Sequence, residues 1–337
     1  MEELLVDLGG SSFLDRLNES SVREFCRWKY LQNPAGEAVV GIALDGNKII
    51  SLAAGVPKRV QVNCKRRLAF ELGDFITDSA YRKRGLFSRL IELICDEAYR
   101  RGATFAYVRP NENSFPILQS RLSFRESAQI AERRYFLPSQ ALERRIGIPG
   151  RLTTALGVDS MFRRFVLPSS TPRVRVVPAA RFGSEVDELA RTVEDGSQFC
   201  LVRDASYLNW RYAAGPTRYR IWLAYRDNKL AGYIVGLTSD TDSQGVLVEL
   251  FCGNDDEEVA AALVRSSMQN LLDGGVRSIS TWILPTQDQS APARTLARAF
   301  PRKVNPSLHF MVRALQPSSD TLPTGGWRIA MGDFDGV

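Results

Sequence analysis

The sequence predicts an α+β protein built from two copies of one unit. Three observations carry this. The chain partly repeats itself: FCRWKY (25–30) and ALDGNKIISLAAG (43–55) return as YLNWRY (207–212) and AYRDNKLAGYIVG (224–236). Ala43, Asn47, Lys48 and Gly55 match Ala224, Asn228, Lys229 and Gly236 at a constant offset of 181, and Trp28 and Trp210 lie 182 apart. The elements that follow recur in the same order, which chance supplies poorly. Finally, 337 residues with 44% hydrophobic and 24% charged side chains form an ordinary globular mix, long enough for two cores.

Taken in order, each Asn-Lys turn lies between two apolar runs and reads as a β-hairpin. LAFELGDFIT (68–77) and GVLVELFCG (245–253) read as strands. LFSRLIELICDEAYRRGA (86–103) and EEVAAALVRSSMQNLLDGGV (257–276) are amphipathic helices that end at Gly102 and at Gly274-Gly275. TFAYV (104–108) and SISTWIL (278–284) are strands. PNENSFPILQSRLSF (110–124) and PTQDQSAPARTLARAF (285–300) both open with Pro, end in Phe and predict a short helix leading to a last strand. Such an order, given twice, means two α+β units.

Composition excludes several classes. The five cysteines (26, 64, 95, 200 and 252) are scattered and never spaced as C-x-x-C, which suits a reducing compartment and argues against a thiolate zinc site. The single histidine, His309, rules out a His-rich metal site, and no metal is expected. No signal peptide and no stretch of about 18 apolar residues is seen, so a cytoplasmic protein is expected. The net charge of +6 is uneven: residues 141–175 hold seven Arg against Glu143 and Asp159, a net of +5. Gly147, Pro149, Gly150, Pro168 and Pro172 break this stretch, which reads as a linker with short helices. It either packs and solvates its Arg or touches an anionic membrane surface weakly.

The segment TDSAYRKRGLFSRLIELICDEA holds the candidate site. A strand ends near Thr77, a tight turn carries Arg82, Lys83, Arg84 and Gly85, and a helix begins at about Leu86. The free N–H groups and positive dipole end of a helix start make an anion site, and Gly85 allows close approach to the backbone. Diphosphate binding suits this, although a plain basic loop is the other reading. In the second copy GNDDEEVAAAL takes this place. Asp255, Asp256, Glu257 and Glu258 crowd that helix start, satisfy its dipole and repel a diphosphate. One cofactor site is therefore expected, in the N-terminal half.

This segment resembles the acyl-CoA-binding motif of the GNAT (Gcn5-related) N-acyltransferase superfamily. Arg82 and Gly85 fall on the motif, whereas Phe87 stands where Gly or Ala is usual. NENSFPILQSRLSF resembles a later motif of that superfamily, with Ser123-Phe124 in place of Gly-Phe. The likeness covers most of 20–138 and, more faintly, 175–315. It extends to tandem members through the paired Trp-Lys/Arg-Tyr segments. The resemblance implies two tandem GNAT-like domains, each a mixed, mostly antiparallel sheet flanked by helices. The expected division is 1–140 as the acyl-CoA-binding domain, 141–175 as the basic linker, 176–320 as a degenerate second domain and 321–337 as a tail.

It further implies acyl transfer from acetyl-CoA, or another acyl-CoA, to a primary amine, with an amino sugar of surface-polysaccharide synthesis, or its nucleotide conjugate, as the guess at the acceptor. Arg82, Lys83, Arg84, Gly85, Leu86, Phe87 and Ser88 would meet the diphosphate. Phe75, Ile76 and Thr77 would hydrogen-bond the pantetheine arm and supply an oxyanion N–H, and Asn113 either contacts the cofactor or caps a helix. Glu71 is the first choice of base and Asp74 the second, with a structural ion pair as the alternative for Glu71. Strand alternation places Glu71, Gly73, Phe75 and Thr77 on one face and Asp74 on the other. The superfamily's usual Tyr acid falls on Leu118 or Gln119, leaving Tyr107 or Tyr135 as substitutes, or a reaction that needs no acid. Trp28, Tyr30, Trp210 and Tyr212 are expected in the core. Two other readings stay open: an aminoacyl-tRNA-dependent transferase, although nucleic acid is not the expected partner, and a CoA-binding scaffold without catalysis. The oligomeric state is left open.

Overall fold

The computed structural model describes residues 19–137, 139, 173–194, 199–238, 243–284, 290–304, 308–316, 322 and 326–334. The chain begins with α1 (Glu19–Cys26), which widens into a π-type turn over Arg27–Leu31. There follow β1 (Val39–Asp45), β2 (Lys48–Val62), β3 (Lys65–Thr77), α2 (Leu86–Arg100), β4 (Phe105–Val108), α3 (Phe115–Arg121) and β5 (Arg125–Phe136). The C-terminal half runs β6 (Val174–Ala179), α4 (Glu185–Glu194), β7 (Phe199–Leu201), α5 (Ala205–Tyr212), β8 (Arg220–Arg226), β9 (Lys229–Thr238) and β10 (Gln244–Cys252). It closes with α6 (Glu257–Asp273), β11 (Ser278–Ile283), α7 (Ala291–Ala299), β12 (Arg302–Lys303), β13 (Leu308–Ala314) and β14 (Trp327–Arg328). The element order of β1–β5 recurs in β8–β13. Both expected hairpins form: Asp45 pairs with Lys48 across Gly46 (φ +57°), and Arg226 pairs with Lys229 across Asp227 and Asn228 (φ +49° and +61°). The basic segment, including its expected short helices, lies outside the described residues for 141–172.

The described strands form one mixed, mostly antiparallel sheet in the order β14-β7-β2-β3-β4-β13-β5-β11-β10-β9-β8-β6, with β1 on β2 and β12 on β5. The two last strands are exchanged. β5 of the N-terminal half pairs with β11, β13 of the C-terminal half pairs with β4, and β5 and β13 pair with each other at the centre. β7 and β14 extend the N-terminal side of the sheet as well. The ladder therefore crosses the boundary that the sequence placed near residue 140.

A pseudo-twofold relation runs through this centre. Ala128 pairs with Phe310, a residue 182 positions later. Trp28 stacks on Trp210 with ring centroids 4.9 Å apart, and each indole N–H donates to the other's backbone carbonyl, at 2.7 and 3.1 Å. These aromatic segments therefore join the halves as core, together with Tyr30 and Tyr212. Further clusters lie under α2 (Phe70, Leu72, Ile91, Ile94) and under α6 (Leu263, Met268, Ile279). Among the described residues, no helix is long and apolar enough to cross a membrane.

Candidate functional site

β3 and β4 run parallel from Ala69↔Phe105 to Leu72↔Val108 and then part, while β3 continues to Thr77. Beyond Leu72 the strand bulges. Its register against β2 shifts between Leu52 and Ala54, and Asp74 takes a left-handed φ of +54°. The bulge overturns the expected alternation. Phe75 turns to the α2 side, edge-on to Phe87 at 5.0 Å. Asp74 falls on the same face as Glu71, where Lys29 and the Tyr30 hydroxyl hold it at 2.7 and 2.8 Å.

The turn after β3 is built locally. The Asp78 carboxylate accepts from the Ala80 N–H at 2.9 Å and from Lys48 at 2.7 Å, and Lys48 holds this carboxyl below its usual range. Lys83 and Gly85 then reverse the chain at φ +62° and +80°. Gly85 caps α2 with no side chain bonded to the helix start, no acid sits in the first turn, and a Cβ on Gly85 would meet nothing within 4 Å. The first N–H groups of α2 thus face open space.

That space is a cavity of about 600 Å³. Phe75, Thr77, Arg82, Lys83, Gly85, Leu86, Phe87, Ser88 and Asn113 line it, as do Tyr81 of the same turn and Asn111, Ser114, Ile117 and Arg121, none of which the sequence reading assigned to the cofactor. Ile76 is instead buried on the opposite face, and Arg84 lies over the Tyr81 ring, donating to the Ala80 carbonyl at 3.3 Å. Asn111, not Asn113, organises the start of α3: its Oδ1 accepts from the N–H groups of Asn113 and Ser114 at 3.1 and 2.9 Å. The N-x-N-S spacing was the available signal for this turn.

Of the candidate catalytic groups, Glu71 is buried beside the Nζ of Lys58 at 3.3 Å, and Lys58 in turn lies over the rings of Tyr207 and Trp210. Tyr107 is 1% exposed amid Phe105, Phe310 and Phe334, its hydroxyl donating to the Asp333 carbonyl at 3.5 Å. Tyr135 belongs to the core under α6. Leu118 is core and Gln119 is exposed, so no tyrosine hydroxyl sits at that position. Arg109, unnamed by the sequence reading, lies at the parting of β3 and β4.

The second half handles the equivalent features differently. Asp256 caps α6, accepting from the N–H groups of Glu258 and Val259 at 3.1 Å each, and Arg226 pairs with Asp256 and Glu258 at 3.1 and 2.7 Å. Its β10 and β11 also part, after Leu247↔Thr281, but Ile329 and Ala330 fill the wedge and leave about 40 Å³. Glu249, two residues beyond this parting, accepts from Arg203 and from the hydroxyls of Tyr212 and Tyr233. Asp333 joins Arg203 at 2.7 Å. Burial, reinforced by Glu249, pushes both tyrosines well above their usual range. A larger cavity of about 860 Å³ lies beside the β8–β9 turn, but Glu185, Glu188, Asp227 and Asp256 on its wall outnumber Arg226 and Lys229 and oppose a diphosphate. Among the described residues no cluster of three metal-ligating side chains occurs.

Comparison with known proteins agrees with this geometry. Residues 4–120 match the family model described as an acetyltransferase (GNAT) domain. No curated protein matches the sequence. Among solved structures, a probable N-acyltransferase of unknown function from Enterococcus faecalis V583 is 12% identical, covering 93% of this chain and 70% of its own, with a TM-score of 0.61. A GCN5-related N-acetyltransferase from Kribbella flavida is 14% identical over 94% of this chain and 70% of its own, with a TM-score of 0.56. Another, from Anabaena variabilis ATCC 29413, is 11% identical over 94% and 69%, with a TM-score of 0.63. At such identities the likeness is one of fold.

Proposed function

We propose that this chain, a member of the GNAT superfamily through its N-terminal domain, transfers an acyl group from acyl-CoA, chiefly acetyl-CoA, to a primary amine. The carrying observation is the start of α2: an uncapped helix end led by a left-handed Gly85, flanked by Arg82 and Lys83, opening on a cavity of about 600 Å³. The N–H groups of Leu86, Phe87 and Ser88 would take the diphosphate. The pantetheine arm would lie along Phe75–Thr77 in the gap that opens after Leu72↔Val108. In the reaction the amine nitrogen bonds to the thioester carbon, the C–S bond breaks and CoA leaves as the thiolate. Glu71 takes the proton released by the attacking amine, and a backbone N–H near the bulge meets the oxyanion. Lys58, 3.3 Å from Glu71, holds that carboxylate in place. No tyrosine at position 118 or 119 protonates the thiolate, so the leaving group draws its proton from solvent.

The C-terminal half is read as a second, degenerate GNAT-like domain that binds no cofactor. An amino sugar is the acceptor we favour, and the cytoplasm is the compartment. Calorimetric titration with acetyl-CoA tests the reading. Saturation at a hundredfold excess over Kd should stabilise the fold by about 2.7 kcal/mol. Gly85→Glu places a negative charge at the anion site, costing on the order of 1–4 kcal/mol for charges 4 Å apart, and should weaken binding at least about tenfold. Equal affinity of Gly85→Glu and the wild type would refute the site. Binding without turnover on any amine would favour a scaffold.

A further inference from the structure

We infer that the acceptor amine carries a carboxylate of its own, and that Arg109 binds it. The inference rests on the acyl-transfer reading and adds the substrate class. Arg109 follows β4 directly, where that strand parts from β3. Phe105 and Tyr107 point to the central core, so Arg109, two residues on, shares the face of Glu71. Its guanidinium lies 5.1 Å from the centre of the Trp282 ring, which comes from the other half of the chain. Burial draws its pKa below the usual range, and the charge of Glu71 opposes that shift.

Its Nε is buried without a hydrogen-bond partner, and among the described residues no carboxylate pairs with the group. An arginine largely withdrawn from water and left unpaired is costly unless a ligand completes it. Lys29 pairs with Asp74 and Lys58 with Glu71, whereas Arg109 is the cation beside Glu71 that no carboxylate of the described residues pairs. One surplus charge matches a monoanion, and a planar guanidinium offers two parallel N–H donors to a carboxylate. A dianionic phosphate would meet Glu71 and Asp74 without a second surplus cation. The carboxylate would thereby hold the amine beside Glu71, at the mouth of the gap assigned to the thioester.

The test uses the whole chain at saturating acetyl-CoA and follows N-acetylated product by mass spectrometry. Amines are supplied in matched sets: α-amino acids with their carboxamides, 2-amino sugar acids with the neutral 2-amino sugars, and aminoalkyl phosphates. For the preferred set, kcat/KM should favour the carboxylate on the order of 100-fold over its neutral partner. Arg109→Gln should erase that preference mainly through KM, and Arg109→Lys should restore part of it. Both variants should bind acetyl-CoA within about twofold of the wild type, which separates a lost contact from a lost fold. Equal use of neutral amines, preference for the phosphates, or a carboxylate preference that survives in Arg109→Gln would overturn the inference while leaving acyl transfer intact. Acetyl-CoA bound but no carboxylate-bearing amine acetylated overturns it too. Failure of acetyl-CoA to bind at all refutes the underlying function and the inference with it.

Discussion

Glu71 and Glu249 are buried carboxylates on corresponding strands, Glu71 just before β3 parts from β4 and Glu249 just after β10 parts from β11, and their surroundings set them apart. Glu71 meets one lysine at 3.3 Å, on a face that also carries Arg109. Glu249 is clamped by Arg203, Tyr212 and Tyr233, and Asp333 shares the same arginine. Burial and the neighbouring Glu249 push Asp333 up to about 6, outweighing Arg203. Its pKa in the unfolded chain is near 3.8. The folded protein therefore holds a proton that the unfolded chain has lost between these values, and the contribution of this group to stability falls as pH rises through them, by on the order of 3 kcal/mol. Asp333→Asn should remove that slope. Urea unfolding at pH about 4 and about 6 measures it, and an identical slope in the variant would refute the assignment.

At the scale of elements, α2 and α6 begin with opposite chemistry. α2 starts on a glycine with no side chain bonded to its first N–H groups, whereas α6 starts on Asp256 and answers them itself. Asp256→Ala should therefore cost about 1 kcal/mol, seen as a lower denaturant midpoint, while leaving acetyl-CoA affinity unchanged. Loss of CoA binding in that variant would show that the wrong helix had been assigned. This contrast was legible in the sequence because capping is a local matter of a few adjacent residues. The bulge at Asp74 was not legible. It is fixed by how β3 registers against β2, and a single extra residue moved Phe75 off the face of Glu71 and brought Asp74 onto it. Asn111 and Arg121 were likewise missed as cavity residues, because a separate loop and helix bring them to the wall beside the turn.

For the whole molecule, the exchange of β5 and β13 has the largest consequence. A chain ended at residue 140 keeps β4 but loses the strand that covers it, Met311–Ala314, along with β7 on β2. It also leaves β5 without β11, and Trp28 without the stacked Trp210. Residues 1–140 expressed alone should aggregate or lack fixed tertiary packing, by near-ultraviolet circular dichroism and gel filtration, because unpaired strand edges and aromatic surface are exposed. Co-expression with residues 141–337 should restore a soluble complex that binds acetyl-CoA. A monomeric, natively packed 1–140 fragment would show that each half folds by itself.

The amino-acid sequence determined the repeated order of elements, the hairpin turns, the uncapped, glycine-led start of α2 and the acidic start of α6, since each depends on neighbours in the chain. Only the tertiary structure decided which strand pairs with which half, that the C-terminal segment around Ala330 fills the second gap, and that Arg109 stands against Trp282. Those contacts join residues tens to more than a hundred positions apart, and hydrophobic periodicity says which face is buried but not against what.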